Sequence, residues 1–284
     1  MTDVTVRDVG PRDGLQAEAP LPIAVRVEFI RRLVSAGLRH IEVVSFVRDD
    51  LVPSMAGAEE VVAAVGSPPG VVLYGLVANR RGAERGACTP LQSFTYTLSL
   101  SEGYSQKNTR QTITDSLRAL AEVVHIVARP VDVVVSCAFG SPFDDVDVRR
   151  DLPKLVTEIR SCGAAAITLA DTTGMATPRV VKDIIDLVGS EVGFHLHETR
   201  HTALLSAFTA LRLGVRRFDT STGGIGGSPF APNAAGNLAT ESLVALLHDE
   251  GLATGVDLST LLSVGRWLQE AIGHPLPSPL LQLP

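Results

Sequence analysis

Arg12 and Asp13, adjacent in Val9-Gly10-Pro11-Arg12-Asp13-Gly14-Leu15-Gln16, and the pair in His195-Leu196-His197 have the residue types and spacing best suited to chemistry. Each string directly follows strand-like residues, Val4-Thr5-Val6 in the first case and Val192-Gly193-Phe194 in the second. Two histidines at i and i+2 on an extended strand point to the same face. That is the geometry needed to grip one metal ion through two imidazoles. An Asp beside an Arg at the end of another strand adds a carboxylate ligand and a fixed positive charge. Together they predict a metal-dependent enzyme acting on an anionic, oxygen-rich substrate. Two imidazoles and a carboxylate suit a divalent ion, and mixed N/O ligation with open positions suits Mn²⁺ or Mg²⁺ as well as Zn²⁺. Asn237, in Gly236-Asn237-Leu238, offers either a fourth oxygen or an N-cap for the next helix.

Each group also has a plain structural use. Pro11 and Gly14 are turn residues, so Arg12 and Asp13 can form a local ion pair at a turn. An HxH can hold one buried and one exposed histidine. Glu42, inside Ile41-Glu42-Val43-Val44, can pair with a lysine or arginine inside a barrel. Asp171, in Asp171-Thr172-Thr173-Gly174, can turn the chain and cap a helix starting near Thr177.

What must position these groups is a set of alternating elements. Apolar, β-rich runs cover 4–9, 39–46, 71–78, 93–100, 131–138, 165–170, 192–198 and 215–220. Helical patterns lie between them at 22–36, 56–65, about 80–87, 109–128, 147–161, 177–188 and 201–213. Eight strands interleaved with seven helices have the rhythm of a parallel (β/α)8 TIM barrel. The rival, an open doubly wound sheet, is disfavoured because no GxGxxG follows the first strand. Helices near 237–248 and 257–272 add a C-terminal helical elaboration. The expectation is one domain over 1–284, the barrel to about 228 and the C-terminal loop and helices over about 229–284. The proline-rich end, from Gly273, is expected to lie extended on the surface.

In such a barrel, catalytic groups belong at the C-terminal ends of the strands. That rule collects Arg12 and Asp13, Glu42 and Ser45, Asn79, Ser99 and Glu102, Ser136, Asp171, His195 and His197, and Asp219 with Ser221 at one mouth. The glycine-rich stretch 223–227 has no lysine after it and is not a phosphate-binding P-loop. It reads as a mobile flap over the mouth, with Ser228 the loop residue best placed to reach a substrate. A serine nucleophile is poorly supported, because no base is implied beside it.

Composition narrows the partners. The chain has 284 residues, 45% hydrophobic and 20% charged, ample for one large core. A net charge of -6 and a pI near 5.6 argue against nucleic acid or an anionic membrane. Cys88, Cys137 and Cys162 are widely spaced without a CxxC, so a disulfide scaffold or zinc knuckle is not expected. The N-terminal residues lack a signal-peptide pattern and no run approaches a membrane span, so the expectation is a soluble cytoplasmic protein.

Several strings together resemble the 3-hydroxy-3-methylglutaryl-CoA lyase family of the DRE-TIM metallolyase superfamily. They are Val9 to Gln16, Ile41-Glu42-Val43-Val44-Ser45-Phe46-Val47, Ser105-Gln106-Lys107-Asn108, Asp171-Thr172, His195-Leu196-His197, Gly226-Gly227-Ser228-Pro229-Phe230-Ala231, and Gly236-Asn237-Leu238-Ala239-Thr240-Glu241. The likeness runs in order over nearly the whole chain. It implies a (β/α)8 barrel, a Mg²⁺ or Mn²⁺ ion, a homodimer, and cleavage of a 3-hydroxyacyl-CoA to acetyl-CoA and a keto acid. By similarity Asp13, His195, His197 and Asn237 would hold the metal, and Asp13 would also be the base. Arg12 would stabilise the enolate oxygen, Arg12 and Gln16 would contact substrate, and Glu42 and Asp171 would support the site.

The sequence departs from that pattern at instructive places. Ser228 stands where the family's loop usually carries a cysteine, and a hydroxyl is a poorer acid–base group near neutrality. Ala19 and Asp50 stand where relatives commonly have lysines suited to CoA phosphates, which weakens phosphate binding. The histidine motif continues as Glu198-Thr199-Arg200-His201, where Arg200 offers a substitute cation. Other readings stay open: a lyase or aldolase on a free or carrier-linked hydroxy acid, or a weakly active barrel kept for metal-dependent ligand binding.

Overall fold

The structure, a computed structural model, describes residues 3–143, 145–227 and 236–283. Eight strands form its centre: β1 Thr5–Asp8, β2 His40–Ser45, β3 Val72–Leu76, β4 Ser93–Ser99, β5 Val131–Ser136, β6 Ala166–Ala170, β7 Gly193–His195 and β8 Arg217–Thr220. Each pairs in parallel with the next, and β8 returns to β1 to close the barrel. All eight expected strands are present, and the fold is the expected (β/α)8 TIM barrel. Burial on both faces explains their composition, since Val133, Val135, Leu169, Phe194 and Phe218 are all essentially without solvent contact.

The outer ring comprises α1 Ile23–Ser35, α2 Ala58–Val65, α3 Arg80–Ala87, α4 Glu102–Asn108, α5 Ile113–Val127, α6 Val148–Ser161, α7 Pro178–Val188 and α8 Ala203–Arg212. Two further helices follow, α9 Thr240–Asp249 and α10 Leu258–Ile272. Helix α10 packs back on α1, where Trp267 meets Phe29 at 6.4 Å between ring centroids and receives the Arg32 guanidinium at 4.6 Å.

Two local features differ from the sequence expectations. Helix α4 was not anticipated; it is one of the short, polar pieces, started by Ser101, whose hydroxyl accepts the Tyr104 N–H. The C-terminal segment is not merely extended on the surface, because Leu276 and Leu281 are buried and Pro279–Gln282 forms a 3₁₀ turn. Leu276 covers Gly223, where a built Cβ would come within 2.4 Å of the leucine. The Ser278 N–H also donates to the Gly223 carbonyl at 3.0 Å. Burying a leucine contributes about 1.5–3 kcal/mol, enough to hold a short apolar tail against the barrel.

Candidate active site

The strand ends lead directly into the groups singled out above. After β1 the chain makes one π-helical turn, Gly10–Gly14. The N–H groups of Arg12, Asp13 and Gly14 converge on the Val9 carbonyl at 3.1, 2.7 and 3.2 Å. This wide turn, with Pro11 at its start, turns Arg12 toward β2. Its guanidinium Nε donates to Glu42 Oε2 at 2.6 Å, and another of its nitrogens reaches Asp13 Oδ1 at 2.8 Å. Glu42, 1% exposed, also accepts a hydrogen bond from the Thr95 hydroxyl. Its plain use, pairing with an arginine, is therefore met by Arg12 itself.

Strand register assembles the other side. His195 lies opposite Asp219 across β7 and β8, and Asp219 lies opposite Arg7 across β8 and β1. His195 Nδ1 faces Asp219 Oδ2 at 3.4 Å, which leaves Nε2 turned toward the mouth. That Nε2 is 3.2 Å from His197 Nε2 and 4.0 Å from Asp13 Oδ2. Both histidines are buried, so the alternative of one inside and one outside is not what forms. Burial opposes the charged imidazolium of His195, but Asp219 and Asp13 outweigh it and hold the pKa above the ordinary value.

Asn237 lies on a short extended segment ahead of α9. It bridges His197, while Ala239 bridges Ser221 beyond β8. The Asn237 amide donates to Asp13 Oδ2 at 2.8 Å and to the Ile225 carbonyl at 3.0 Å. It caps no helix, because α9 starts at Thr240 after Ala239. For Asp13, burial works to raise the carboxyl pKa; Arg12, His195 and the Asn237 bond overcome it and leave it lowered.

The donor chemistry fits a divalent cation. Cis donors at about 2.1 Å from one ion lie about 3 Å apart, close to the spacing of the two Nε2 atoms. Asn237 Oδ1 is buried without a hydrogen-bond partner beside these donors, so it is free to serve as a further oxygen ligand. The third donor is less ready. Among the described residues no three His, Cys, Asp or Glu side chains stand as a formed metal cluster, because Asp13 is drawn toward Arg12 and Asn237. Residues 13, 195, 197 and 237 could hold an ion once Asp13 Oδ2 exchanges its amide contact.

The remaining expected residues spread around this centre. Asp171 follows β6; its N–H donates to the His195 carbonyl and its Oδ1 accepts the Met175 N–H at 2.6 Å. It does turn the chain, but Thr177 caps α7. Oδ2 of Asp171 is buried without a partner, and burial pushes its pKa up to about 6 against the opposing Ala176 and Met175 N–H bonds. Gln16 is half-buried one turn beyond Asp13, and its carbonyl accepts the Ser54 hydroxyl at 2.9 Å. Arg200 donates to the Gly174 carbonyl at 2.6 Å. Asn79 caps α3, and Glu102 is exposed and accepts the Ile113 N–H, so neither is shown serving the mouth. Ser228 lies outside the described residues.

Comparison with known proteins agrees with this geometry. The HMGL-like family model matches residues 3–268. The chain belongs to the HMGL-like family. The (R)-citramalyl-CoA lyase of Chloroflexus aurantiacus is 39% identical over 98% of this chain and 94% of its own. The hydroxymethylglutaryl-CoA lyase of Bacillus subtilis is 35% identical over 99% and 97%. Among solved structures, the Bacillus subtilis HMG-CoA lyase superposes with a TM-score of 0.94 at 33% identity, covering 99% of this chain and 98% of that one. An Acinetobacter baumannii HMG-CoA lyase in complex with coenzyme A and 3-methylmalate gives 0.92 at 34%, covering 98% and 94%. This HMGL-like protein is a carbon–carbon lyase.

Sequence reading of this HMGL-like chain placed Asp219 at the mouth but missed its partners Arg7 and Asp132, deeper in the barrel behind the histidine. Arg7 grips Asp219 through two bonds of 2.8 Å and Asp132 through a third of 2.8 Å. The available signal was a charged residue inside each of three apolar strands. Among the described residues, no helix is long and apolar enough to cross a membrane.

Proposed function

We propose that the chain is a divalent-metal-dependent lyase that cleaves a 3-hydroxy-3-methylglutaryl-CoA-like 3-hydroxyacyl-CoA to acetyl-CoA and a keto acid. The observation that carries the reading is the meeting of Arg12, Asp13, His195, His197 and Asn237 on one rim, with Asn237 Oδ1 unspent. Asp13, His195, His197 and Asn237 would hold Mg²⁺ or Mn²⁺. When bound, the ion supplies a Lewis acid for the substrate's hydroxyl and carboxylate oxygens.

The protein's own residues perform the rest. A base takes the 3-hydroxyl proton, the C2–C3 bond breaks as C3 becomes a ketone, and its electron pair moves onto C2 and the thioester oxygen. Asp13 would be the base, the role that likeness to the family suggests for it. Arg12 uses three of its five N–H groups on Glu42 and Asp13 and keeps two for the developing enolate oxygen. Glu42 holds that guanidinium in place from a buried position. Gln16 would contact substrate one turn further on, and Ser228 would reach it from the loop. Protonation of C2 then yields the acetyl thioester.

A phosphate-bearing handle is supported by a groove of about 660 Å³ beside the same rim, lined by Arg48, Arg80, Arg81 and Arg85. Part of that charge is already paired, Arg48 with Asp50 and Arg85 with Glu59. That pairing, with Ala19 replacing a cation, favours the second reading of a free or carrier-linked hydroxy acid. The deciding assay is acetyl-CoA release from 3-hydroxy-3-methylglutaryl-CoA and from citramalyl-CoA, with Mn²⁺ or Mg²⁺ and with chelator. Metal-dependent release from either is the expected result. Metal-loaded protein that cleaves neither overturns the CoA reading and turns the search to free acids.

A further inference from the structure

We infer that Asp8 is a positioning residue, one buried carboxylate that ties together the chain segments carrying Arg12, Asp13 and Asn237. Asp8 ends β1 and is 0% exposed. Its Oδ1 accepts the Gly10 N–H at 2.8 Å, at the root of the π turn that bears Arg12 and Asp13. Its Oδ2 accepts the Thr222 N–H at 3.0 Å and the Thr222 hydroxyl at 2.6 Å, just beyond β8. The same oxygen accepts the Thr240 hydroxyl at 2.7 Å, at the end of the segment that delivers Asn237. Backbone bonds Ser221 N–H to Leu238 O and Thr240 N–H to Ser221 O make the last two segments one unit. Asp13 and Asn237, which meet at 2.8 Å, thus hang from opposite oxygens of one side chain.

A purely structural account of this carboxylate is poor. Among the described residues no cation forms an ion pair with Asp8, so a buried carboxyl group is held by hydrogen bonds alone, an arrangement an apolar side chain would replace at less cost. What an apolar side chain cannot do is accept four bonds from three segments at fixed distances. The approach is also tight, since a Cβ built on Gly10 would lie 2.8 Å from Asp8 Oδ1 and 3.1 Å from Ser221 Oγ. An error of about 1 Å between catalytic groups can cost about 10²-fold in rate.

The tie is a property of the fold, while its effect on turnover rests on the lyase reading above. Asp8→Asn keeps size but turns a donor toward donors. By hydrogen exchange on the purified full chain, peptides covering 9–15, 221–225 and 237–241 should all exchange about 10-fold faster or more, with α5 and α6 unchanged. Faster exchange confined to 8–10, or spread evenly over the chain, overturns the proposal. With an active wild type, kcat should fall about 10²-fold with KM within about 3-fold. Thr240→Val should show a smaller kcat loss and Thr240→Ser should restore it. Equal kcat in Asp8→Asn and wild type, or no difference between the valine and serine variants, also overturns it. A wild type inactive on both CoA esters would fail the lyase reading alone, and the exchange pattern would still decide the tie.

Discussion

Two arginines near the end of β1 each hold two carboxylates, and the two groups differ in what they leave unfinished. Arg7 points into the barrel, where Asp132 and Asp219 take its nitrogens at 2.8 Å and the Tyr74 ring lies 4.9 Å from its guanidinium carbon. Its partners are strand residues placed by register. Arg12 sits on a loop, and its carboxylates are shared with Thr95 and Asn237, with His195 at 4.0 Å. The deeper trio has side chains of only about 5–6% exposure, against 12% for Arg12 and 21% for Asp13. One set of charges, buried and spent on its own members apart from Asp132 Oδ1, braces the barrel; the more exposed set, with similar chemistry, keeps donors and acceptors for a ligand.

If that contrast is right, removing the two arginines should fail in different ways. Arg7→Met leaves Asp219 buried without its arginine and Asp132 with only the longer contact to Arg217 at 3.6 Å, and breaking a buried pair costs about 3–5 kcal/mol. The expected loss of that size is read from denaturant midpoints with chelator present. A change below about 1 kcal/mol would remove the bracing role. Asp219 is the sensitive partner: burial pushes its carboxyl up, but Arg7 and the His195 bond carry it well below the usual carboxylate range.

Arg12→Met should spare metal binding and lower kcat by about 10²–10³-fold, the usual effect of losing a donor to a developing oxyanion. KM should change little. A large KM increase with normal kcat would place Arg12 in ground-state binding instead and dissolve the distinction from an ordinary salt bridge. Because Glu42 would lose its cation, the assay is run on the folded fraction at a temperature well below unfolding.

The same contrast marks what sequence could disclose. Strand positions were legible because strands covered on both faces read as Val-rich runs, as Val131–Ser136 does despite the single charge of Asp132. Arg12, Asp13, His195 and His197 were legible because short-range spacing at a strand end already fixes their faces. Asp219 was legible as a strand-end carboxylate, but its union with Arg7 and Asp132 was not, since Arg7 meets Asp219 only by closure of β1 on β8 and Asp132 only across the barrel interior. Asn237 was ambiguous between ligand and cap until its segment was seen to pair with His197 rather than to start α9. Helix α4 and the Leu276 and Leu281 contacts escaped for a related reason: short polar or proline-rich stretches carry little periodicity, and distant packing decides them.

Asp171 tests whether the open set bears a cost in the fold. Its carboxyl is raised from 3.8 to about 6, chiefly by burial, and its Oδ2 has no partner. A folded pKa above the unfolded one means that the native state holds the proton more tightly. The stabilising contribution is therefore complete below about pH 4 and is lost as pH rises through about 6. Asn carries no such charge and keeps an oxygen for the Met175 N–H. The stability of Asp171→Asn relative to wild type should thus rise by on the order of 2 kcal/mol between pH 4 and 7 and stay flat above that. Denaturant midpoints with chelator at each pH measure it, and parallel curves for the two proteins would show that Asp171 is not held against its burial. The pH dependence of kcat/KM on the same variant then separates the two carboxyls. With Asp13 as base, the acid limb persists in Asp171→Asn; its disappearance together with a large fall in kcat would transfer the proton to Asp171.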